Sequence, residues 1–167
     1  MLKRLPLIIA ILICCVGCDQ STKSFAKAHL SETQAISFLG DSVRLQIAKN
    51  YGAFLSLGAS KAPAVRSALF SAGVAAMLLA LLVYSLRTMT KNPIVVPALA
   101  LIIGGGASNL LDRLAYGGYV VDFLNLGMGS IRTGIFNVAD VFIMCGVVGL
   151  TCSDLLLQIV AARSAAN

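Results

Sequence analysis

The chain has 167 residues, of which 58% are hydrophobic and only 12% charged, and its mean hydropathy is +0.89. These values exclude an ordinary water-soluble domain, and the length is that of a single domain. The formal net charge of +6 suits contact with anionic headgroups, so we expect membrane phospholipid as a partner. The chain lacks tryptophan and has no basic patch interleaved with aromatic residues, so its pattern does not indicate a nucleic-acid partner.

The first apolar segment, residues 5–18, contains no charged residue and follows Lys3 and Arg4. It reaches the roughly 20 residues that cross a bilayer core only by including Asp19 near one end. A cleaved signal peptide is the alternative interpretation, because Val16-Gly17-Cys18 resembles a lipoprotein processing site. Three further apolar segments argue against that alternative.

Those segments lie at residues 67–86, 93–111 and 141–153. We therefore predict a membrane all-α fold, in which a four-transmembrane-helix bundle carries a small extracytoplasmic β-platform. The whole of residues 1–167 forms one domain, with helices at about 5–25, 64–86, 93–113 and 137–160. Basic residues at the N-terminus, in the short link at 87–92 and in the C-terminal tail predict that both termini are cytoplasmic.

Two segments between the helices, at about 36–58 and 118–136, are predicted to be rich in β-strand. In the first, Val43, Leu45 and Ile47 alternate with polar residues, which is strand periodicity. In the second, an extended stretch at 119–123 follows Gly117-Gly118, and residues 131–136 can pair with it or with the first segment. Both segments fall on the same side of the membrane. Open sheet edges cannot face lipid, so the strands should form a platform at the outer interface.

The cysteines and the histidine do not form a metal site in the sequence. Cysteines stand at positions 14, 15, 18, 145 and 152, all within predicted helices. Cys15 and Cys18 form a Cys-x-x-Cys pair, but metal sites usually need two more ligands, and no second pair or nearby histidine follows. We interpret the cysteines as small apolar helix residues and His29 as a solvated side chain, and we expect no cofactor or metal.

Polar residues cluster at one end of the predicted helices. Asp19, Gln20 and Lys23 end the first helix, Asn109, Asp112 and Arg113 end the third, and Asn137 and Asp140 begin the fourth, with Asp122 between the last two. Up-and-down topology brings these ends to the outer face.

Some of these residues have structural interpretations. Asp19 and Lys23 are four positions apart and can pair on one helix face, with Lys23 extending toward lipid phosphates. Arg113 can hold a phosphate, a peptide carbonyl or a carboxylate, and the glycines at 104–106 most simply allow close helix packing.

Two of these acids suggest chemistry. Asn137 stands at a helix-cap position and Asp140 in the first turn, where a purely capping role is possible. Asp122, by contrast, has apolar neighbours on both sides and no evident structural purpose. Two carboxylates held together in a pocket of low dielectric constant share a proton, which gives a base and an acid for activating water against an amide. We expect Asp140 to be the more readily ionised and Asp122 to carry the shared proton, although such a pair titrates as a unit.

Five short blocks in order resemble the lipoprotein signal peptidases, also called signal peptidase II. They read Asp19-Gln20-x-x-Lys23, Asn50-x-Gly52-Ala53, Asn109-x-x-Asp112-Arg113, Val120-Val121-Asp122-Phe123 and Phe136-Asn137-x-Ala139-Asp140. The resemblance covers roughly residues 5–160 and implies that Asp122 and Asp140 are the catalytic dyad. It implies a substrate-binding or supporting role for eight further positions in the blocks: Asp19, Lys23, Asn50, Gly52, Asn109, Asp112, Arg113 and Asn137.

The resemblance also implies the reaction. Such an enzyme is an aspartic endopeptidase of the bacterial cytoplasmic (inner) membrane, with its active site toward the outer face. It removes signal peptides from diacylglyceryl-modified prolipoproteins by cleaving on the amino side of the lipidated cysteine. An extended loop near residues 51–58 is expected to cover the site. Tyr51, Leu55 and Ser108 depart from the usual pattern, and the first two lie in this loop, where they bear on substrate preference.

Two other functions remain open from the sequence. The first is a small proton- or ion-coupled transporter that uses the acids at membrane level, although such a relay should distribute acids through the membrane. The second is a lipoprotein that is itself modified on Cys18, which predicts a shortened mature chain.

Overall fold

The structure is a computed structural model that describes residues 4–52, 68–90 and 92–165, with side-chain surroundings given for all of these except 68–70 and 154–165. The described helices are α1 (Leu5–His29), α2 (Val74–Arg87), α3 (Val95–Ala115) and α4 (Val138–Ala165). A wider helical turn, Ala68–Gly73, leads into α2. Helix α1 begins with a proline in its first turn, where the missing N–H costs nothing, and ends where Leu30 turns to an extended conformation.

Helix α3 is the centre of the bundle and packs against each of the other three helices. Its three consecutive glycines each face a different neighbour. A Cβ added at Gly104 would lie 2.8 Å from Cβ of Cys15 on α1, and one at Gly105 would lie 2.4 Å from the Ala139 carbonyl oxygen on α4. At Gly106 it would lie 2.6 Å from Leu78 on α2. The glycine run therefore permits close helix packing, as its composition predicted.

The outer helices expose large apolar side chains, which distinguishes them from helices of a soluble core. Within the most apolar 18-residue window of α1 only 17% of residues are buried, against 56% in α3. Ile13, Leu79 and Val148 are each more than half exposed on their helices. By length and composition α1 and α3 are able to cross a membrane, and the apolar segments Ser71–Arg87 and Val138–Ser153 are shorter. Such a surface is stable in lipid rather than in water.

A small antiparallel sheet stands at one end of the bundle. Its order is β1 (Ile36–Phe38), β2 (Val43–Asn50), β3 (Val120–Met128) and β4 (Ile131–Arg132). The tight turn between β1 and β2 uses positive φ angles at Leu39, Gly40 and Asp41. Strand β4 pairs with the end of β3 at Gly127 and Met128, and the following segment adds a bridge between Phe136 and Leu124.

The sheet is held against the helices by an apolar cluster. Ile47 of β2 and Val121 and Phe123 of β3 are buried with Ala26, near the end of α1. Val138, the first residue of α4, packs against the same cluster. Because Asp122 lies between Val121 and Phe123 on a strand, its side chain points to the opposite face from theirs. On that face Asp122 contacts Asn50 at the end of β2 and Asn137, the residue directly before α4.

Candidate active site

The structure brings all ten predicted site residues into one hydrogen-bonded cluster where the helix ends meet β2 and β3. Each of the ten is buried. Charged side chains are rarely buried this deeply unless they are paired, because burial removes their hydration. The cluster is therefore either a functional site or a structural one that reduces the stability of the fold.

Asp122 accepts one amide hydrogen bond on each carboxylate oxygen. Asn137 Nδ2 donates to Oδ1 at 2.6 Å, and Asn50 Nδ2 donates to Oδ2 at 2.9 Å. Asp122 lies on β3, beside Ala48 of β2 in the sheet register. Burial, followed by the negative charge of Asp140, raises the pKa of Asp122 to about 7, against the opposing effects of the two amides and Lys23. This carboxyl group is therefore poised to exchange a proton near neutral pH.

Asp140 also accepts one hydrogen bond on each carboxylate oxygen. Asn109 Nδ2 donates to Oδ1 at 2.9 Å, and the backbone N–H of Asn137 donates to Oδ2 at 3.2 Å. In return, the N–H of Asp140 donates to Asn137 Oδ1 at 3.0 Å, which completes a capping box at the start of α4. The capping role considered from the sequence is therefore present, and it fixes the Asp140 carboxylate at the start of α4.

Asn137 connects the two aspartates directly. Its side-chain amide donates to Asp122, while its side-chain carbonyl and backbone N–H form the capping box with Asp140. A second link runs from Asn137 Nδ2 to Asn109 Oδ1 at 3.1 Å, and Asn109 in turn donates to Asp140. The relative position of the two carboxylates is thus set by two asparagines.

The position of the Lys23 side chain differs from the one expected from the sequence. The predicted pair with Asp19 is present at 2.6 Å, but the ammonium does not extend toward lipid phosphates. It is 1% exposed and also contacts Asp112 Oδ2 at 2.9 Å and Asn109 Oδ1 at 3.0 Å. The reason is the face of α1 on which Lys23 lies: this face packs against α3, whose polar end supplies two further acceptors.

Arg113 anchors the chain that leaves β2. Its Nη2 donates to the Gly52 carbonyl oxygen at 2.5 Å, and its Nη1 donates to the Asn109 carbonyl at 3.2 Å. Asn50 Oδ1 accepts from the Gly52 N–H at 2.9 Å. The sequence left a phosphate, a peptide carbonyl or a carboxylate as the partner of Arg113. These two contacts are both to peptide carbonyls. The block containing Asn50 and Gly52 is therefore tied to the site through both backbone and side chain.

Two residues outside the predicted set of site residues, Gln20 and Ser108, also take part in the cluster. Ser108 Oγ donates to Asp19 Oδ2 at 2.7 Å, and Gln20 Nε2 donates to Asp112 Oδ1 at 2.8 Å and to Ser108 Oγ at 3.0 Å. Ser108 was noted only as a departure from glycine. Its position directly before Asn109, near the end of an apolar helix, was the available signal, since a buried hydroxyl there needs a partner.

The predicted covering loop falls mostly outside the described residues, as does Leu55. Tyr51 is described and lies at the edge of the cluster, where its ring contacts that of Tyr119 at a centroid distance of 5.5 Å. Tyr119 also stacks on Tyr116 at 5.6 Å. Within the described ranges, no group of three or more His, Cys, Asp or Glu side chains is arranged to hold a metal ion.

Comparison with known proteins identifies the family. Residues 11–156 match the family described as "Signal peptidase (SPase) II". The chain belongs to the signal peptidase II family. It is 34% identical over 152 residues to the lipoprotein signal peptidase of Acinetobacter baylyi, covering 90% of this chain and 80% of that protein. It is 32% identical over 151 residues to the lipoprotein signal peptidase of Francisella tularensis subsp. novicida, covering 90% and 91%.

Two solved structures share the fold of the chain. A bacterial membrane enzyme determined by the in meso method at 2.3 Å resolution aligns with a TM-score of 0.78 and 23% identity, covering 90% of this chain and 88% of that one. A second, determined at 1.9 Å, aligns with a TM-score of 0.75 and 24% identity, covering 90% and 93%. The helical bundle with its small antiparallel sheet is therefore a fold of bacterial membrane enzymes.

Proposed function

We propose that this chain is a membrane aspartic endopeptidase that removes signal peptides from diacylglyceryl-modified prolipoproteins, cleaving on the amino side of the lipidated cysteine. Membership of the signal peptidase II family and the curated relatives named lipoprotein signal peptidase support this activity. A substrate that carries both a signal peptide and acyl chains is itself held in the membrane. A site at one end of membrane-crossing helices lies at the membrane surface, where it can bind such a substrate.

We assign catalysis to Asp122 and Asp140. Asp122 enters the reaction protonated, because its pKa of about 7 keeps the proton available near neutrality. Asp140 accepts a proton from the attacking water while Asp122 donates its proton to the carbonyl oxygen of the scissile amide. When the gem-diol intermediate collapses, the C–N bond breaks, the proton on Asp140 passes to the departing amine, and a hydroxyl proton of the intermediate returns to Asp122. The remaining predicted polar residues support this dyad.

The observation that carries the proposal is the bridge made by Asn137, which holds an aspartate from a strand and one from a helix in a single polar network. Each carboxylate oxygen of the two aspartates receives one donor from an asparagine. Counting donors from the described residues, one lone pair on each oxygen is left for water or for the shared proton. A cap or an ion pair alone does not require this symmetry.

We further propose that all four helices cross the bacterial inner membrane, as one domain over residues 1–167, with both termini in the cytoplasm and the active site toward the outer face. The exposed apolar side chains of α1, α2 and α4 support this arrangement, as do the basic residues at the chain start and in the α2–α3 link.

The transporter alternative receives no support from the comparisons, and the charge distribution disfavours it. Residues 5–18, 93–111 and 141–153 contain no Asp, Glu, Lys, Arg or His. The acids whose burial the structure describes, Asp19, Asp112, Asp122 and Asp140, lie at one end of the helices and are not distributed as a relay through the membrane.

Cleavage of a synthetic precursor peptide, presented with and without its diacylglyceryl group, tests the function. The purified full chain should cut only the lipidated peptide, and mass spectrometry should show a product that begins with the modified cysteine. Equal cleavage of the unmodified peptide indicates a general protease. No cleavage of either, together with a proton flux in liposomes that Asp122→Asn abolishes, would establish the transporter instead.

A further inference from the structure

All three N–H donors of the Lys23 ammonium group have acceptors inside the protein. It contacts Asp19 Oδ2, Asp112 Oδ2 and Asn109 Oδ1 at 2.6, 2.9 and 3.0 Å. A lysine ammonium has three N–H donors and no acceptor, so these contacts satisfy it completely. None of the three acceptors belongs to the Asp122/Asp140 pair.

The two carboxylates that Lys23 joins each hold a backbone N–H beside the dyad. Asp19 Oδ1 accepts from the N–H of Ala139 at 2.9 Å, and Ala139 directly precedes Asp140. Asp112 Oδ2 accepts from the N–H of Val121 at 3.0 Å, and Val121 directly precedes Asp122. We call the ion group of Lys23, Asp19 and Asp112 the Lys23 clamp. It binds the backbone N–H one residue before each catalytic aspartate, and so holds both chain segments that carry the pair.

Lys23 also fixes which way the Asn109 amide faces. Asn109 Oδ1 accepts from the ammonium and from Asn137 Nδ2, at 3.0 and 3.1 Å. Because the ammonium can only donate, the carbonyl end of the amide must face it. The NH₂ end of Asn109 is then directed at Asp140, where it donates at 2.9 Å.

We propose that Lys23 is a positioning residue for the peptidase reaction: through Asp19, Asp112 and Asn109 it sets the separation of Asp122 and Asp140 and the direction of the amide donors that they receive. The proposal rests on the peptidase function and goes beyond it, since it assigns to Lys23 an action on the dyad that involves no contact with it.

The charge of Lys23 has a second consequence. Asp19 on α1, Asp112 and Arg113 on α3, Asp122 on β3 and Asp140 on α4 are the charged groups of the site around it. Although burial and the charge of Asp140 raise the pKa of Asp122, the ammonium of Lys23 lowers it. Removing the ammonium should favour protonation of the dyad, and removing a clamp carboxylate should oppose it.

The experiment measures the pH profile of kcat/KM on the lipidated peptide for Lys23→Met and Asp112→Asn, with Lys23→Arg and Lys27→Met for comparison. We expect the profile of Lys23→Met to move to higher pH by roughly one unit and that of Asp112→Asn to move to lower pH by about as much. Lys23→Arg retains the charge, so it should keep the wild-type profile at a reduced rate. Lys27, one turn further along α1, is exposed and bonds the Tyr116 hydroxyl, so Lys27→Met should behave as wild type.

Opposite shifts in the two variants establish the clamp, because a purely structural loss lowers the rate without moving the profile. If Lys23→Met does not fold, the shift of Asp112→Asn decides the question alone. Wild-type profiles in both folded variants overturn the clamp but leave the peptidase function standing. Failure of the wild-type chain to cut the lipidated peptide overturns the function itself, whatever the variants do.

Discussion

The Asp19 carboxylate accepts a hydrogen bond from the backbone N–H of Ala139 at 2.9 Å, although the two residues are 120 positions apart in the chain. This contact ties the end of the first helix to the start of the last, one residue before Asp140. The equivalent contact from Asp112 to the N–H of Val121 ties the third helix to the strand that carries Asp122. The site is thus assembled from distant segments, and its geometry depends on how closely the helices approach one another.

Close approach of α3 and α4 should therefore be needed for activity. In Gly105→Ala the new Cβ would lie 2.4 Å from the Ala139 carbonyl oxygen, which is backbone and cannot rotate away. We expect a loss of about 1–3 kcal/mol in the free energy of unfolding and a clear fall in kcat, because α4 must shift together with Asp140. Thermal unfolding and peptide cleavage measure the two effects.

Gly17→Ala is the matched control for this substitution. No atom of the described residues lies within 4 Å of a Cβ added at Gly17, which faces outward on α1. Alanine is favoured over glycine within a helix by about 1 kcal/mol, so this variant should be as stable as wild type or slightly more so, with unchanged cleavage. Equal behaviour of the two variants would mean that helix approach does not limit the site.

The pH dependence of stability should report Asp122. Its pKa rises from 3.8 to about 7 on folding, so between these values the folded protein binds this proton more tightly than the unfolded chain. The stabilisation is complete below about pH 4 and is lost as the pH rises through about 7. Asp122→Asn cannot titrate there, so its melting temperature should fall less between pH 4 and pH 8 than that of wild type. Parallel curves for the two proteins would contradict the raised pKa.

Membrane orientation can be tested by labelling single cysteines in a chain whose five native cysteines are replaced by alanine. His29 is exposed at the end of α1 near the site, and Met89 is 95% exposed in the α2–α3 link. A membrane-impermeant thiol reagent should label His29→Cys in intact spheroplasts, and Met89→Cys only after the membrane is opened. The reverse pattern would place the site on the cytoplasmic side.

The local features of the site could be predicted from the sequence because they depend on short spacings. Asp19 and Lys23 are four positions apart, and the pair forms because that spacing places them on one helix face. Asn137 and Asp140 are three positions apart, which is the spacing of a capping box. The alternation of Val43, Leu45 and Ile47 likewise indicated the strand that became β2.

The long-range features could not be predicted from the residues alone. No spacing indicates that Asp112 meets Lys23, because the contact depends on how α1 and α3 pack. For the same reason the sequence suggested that Lys23 reaches lipid phosphates, whereas α3 covers it. Ser108 and Gln20 were outside the predicted set of site residues because a hydroxyl or an amide at a helix end is common, and only the fold shows which acids they contact.

The most direct test of the central claim is the turnover of the lipidated precursor by Asp122→Asn and Asp140→Asn, measured beside Asp41→Asn. Asp41 lies in the exposed turn between β1 and β2, where Arg44 holds the pKa of its carboxyl below the usual range and the site is not involved. With all three variants folded, we predict that kcat falls by about 10²–10⁴-fold or more in each dyad variant and stays near wild type in Asp41→Asn. Wild-type turnover by either dyad variant would contradict the assignment of Asp122 and Asp140 as the catalytic pair.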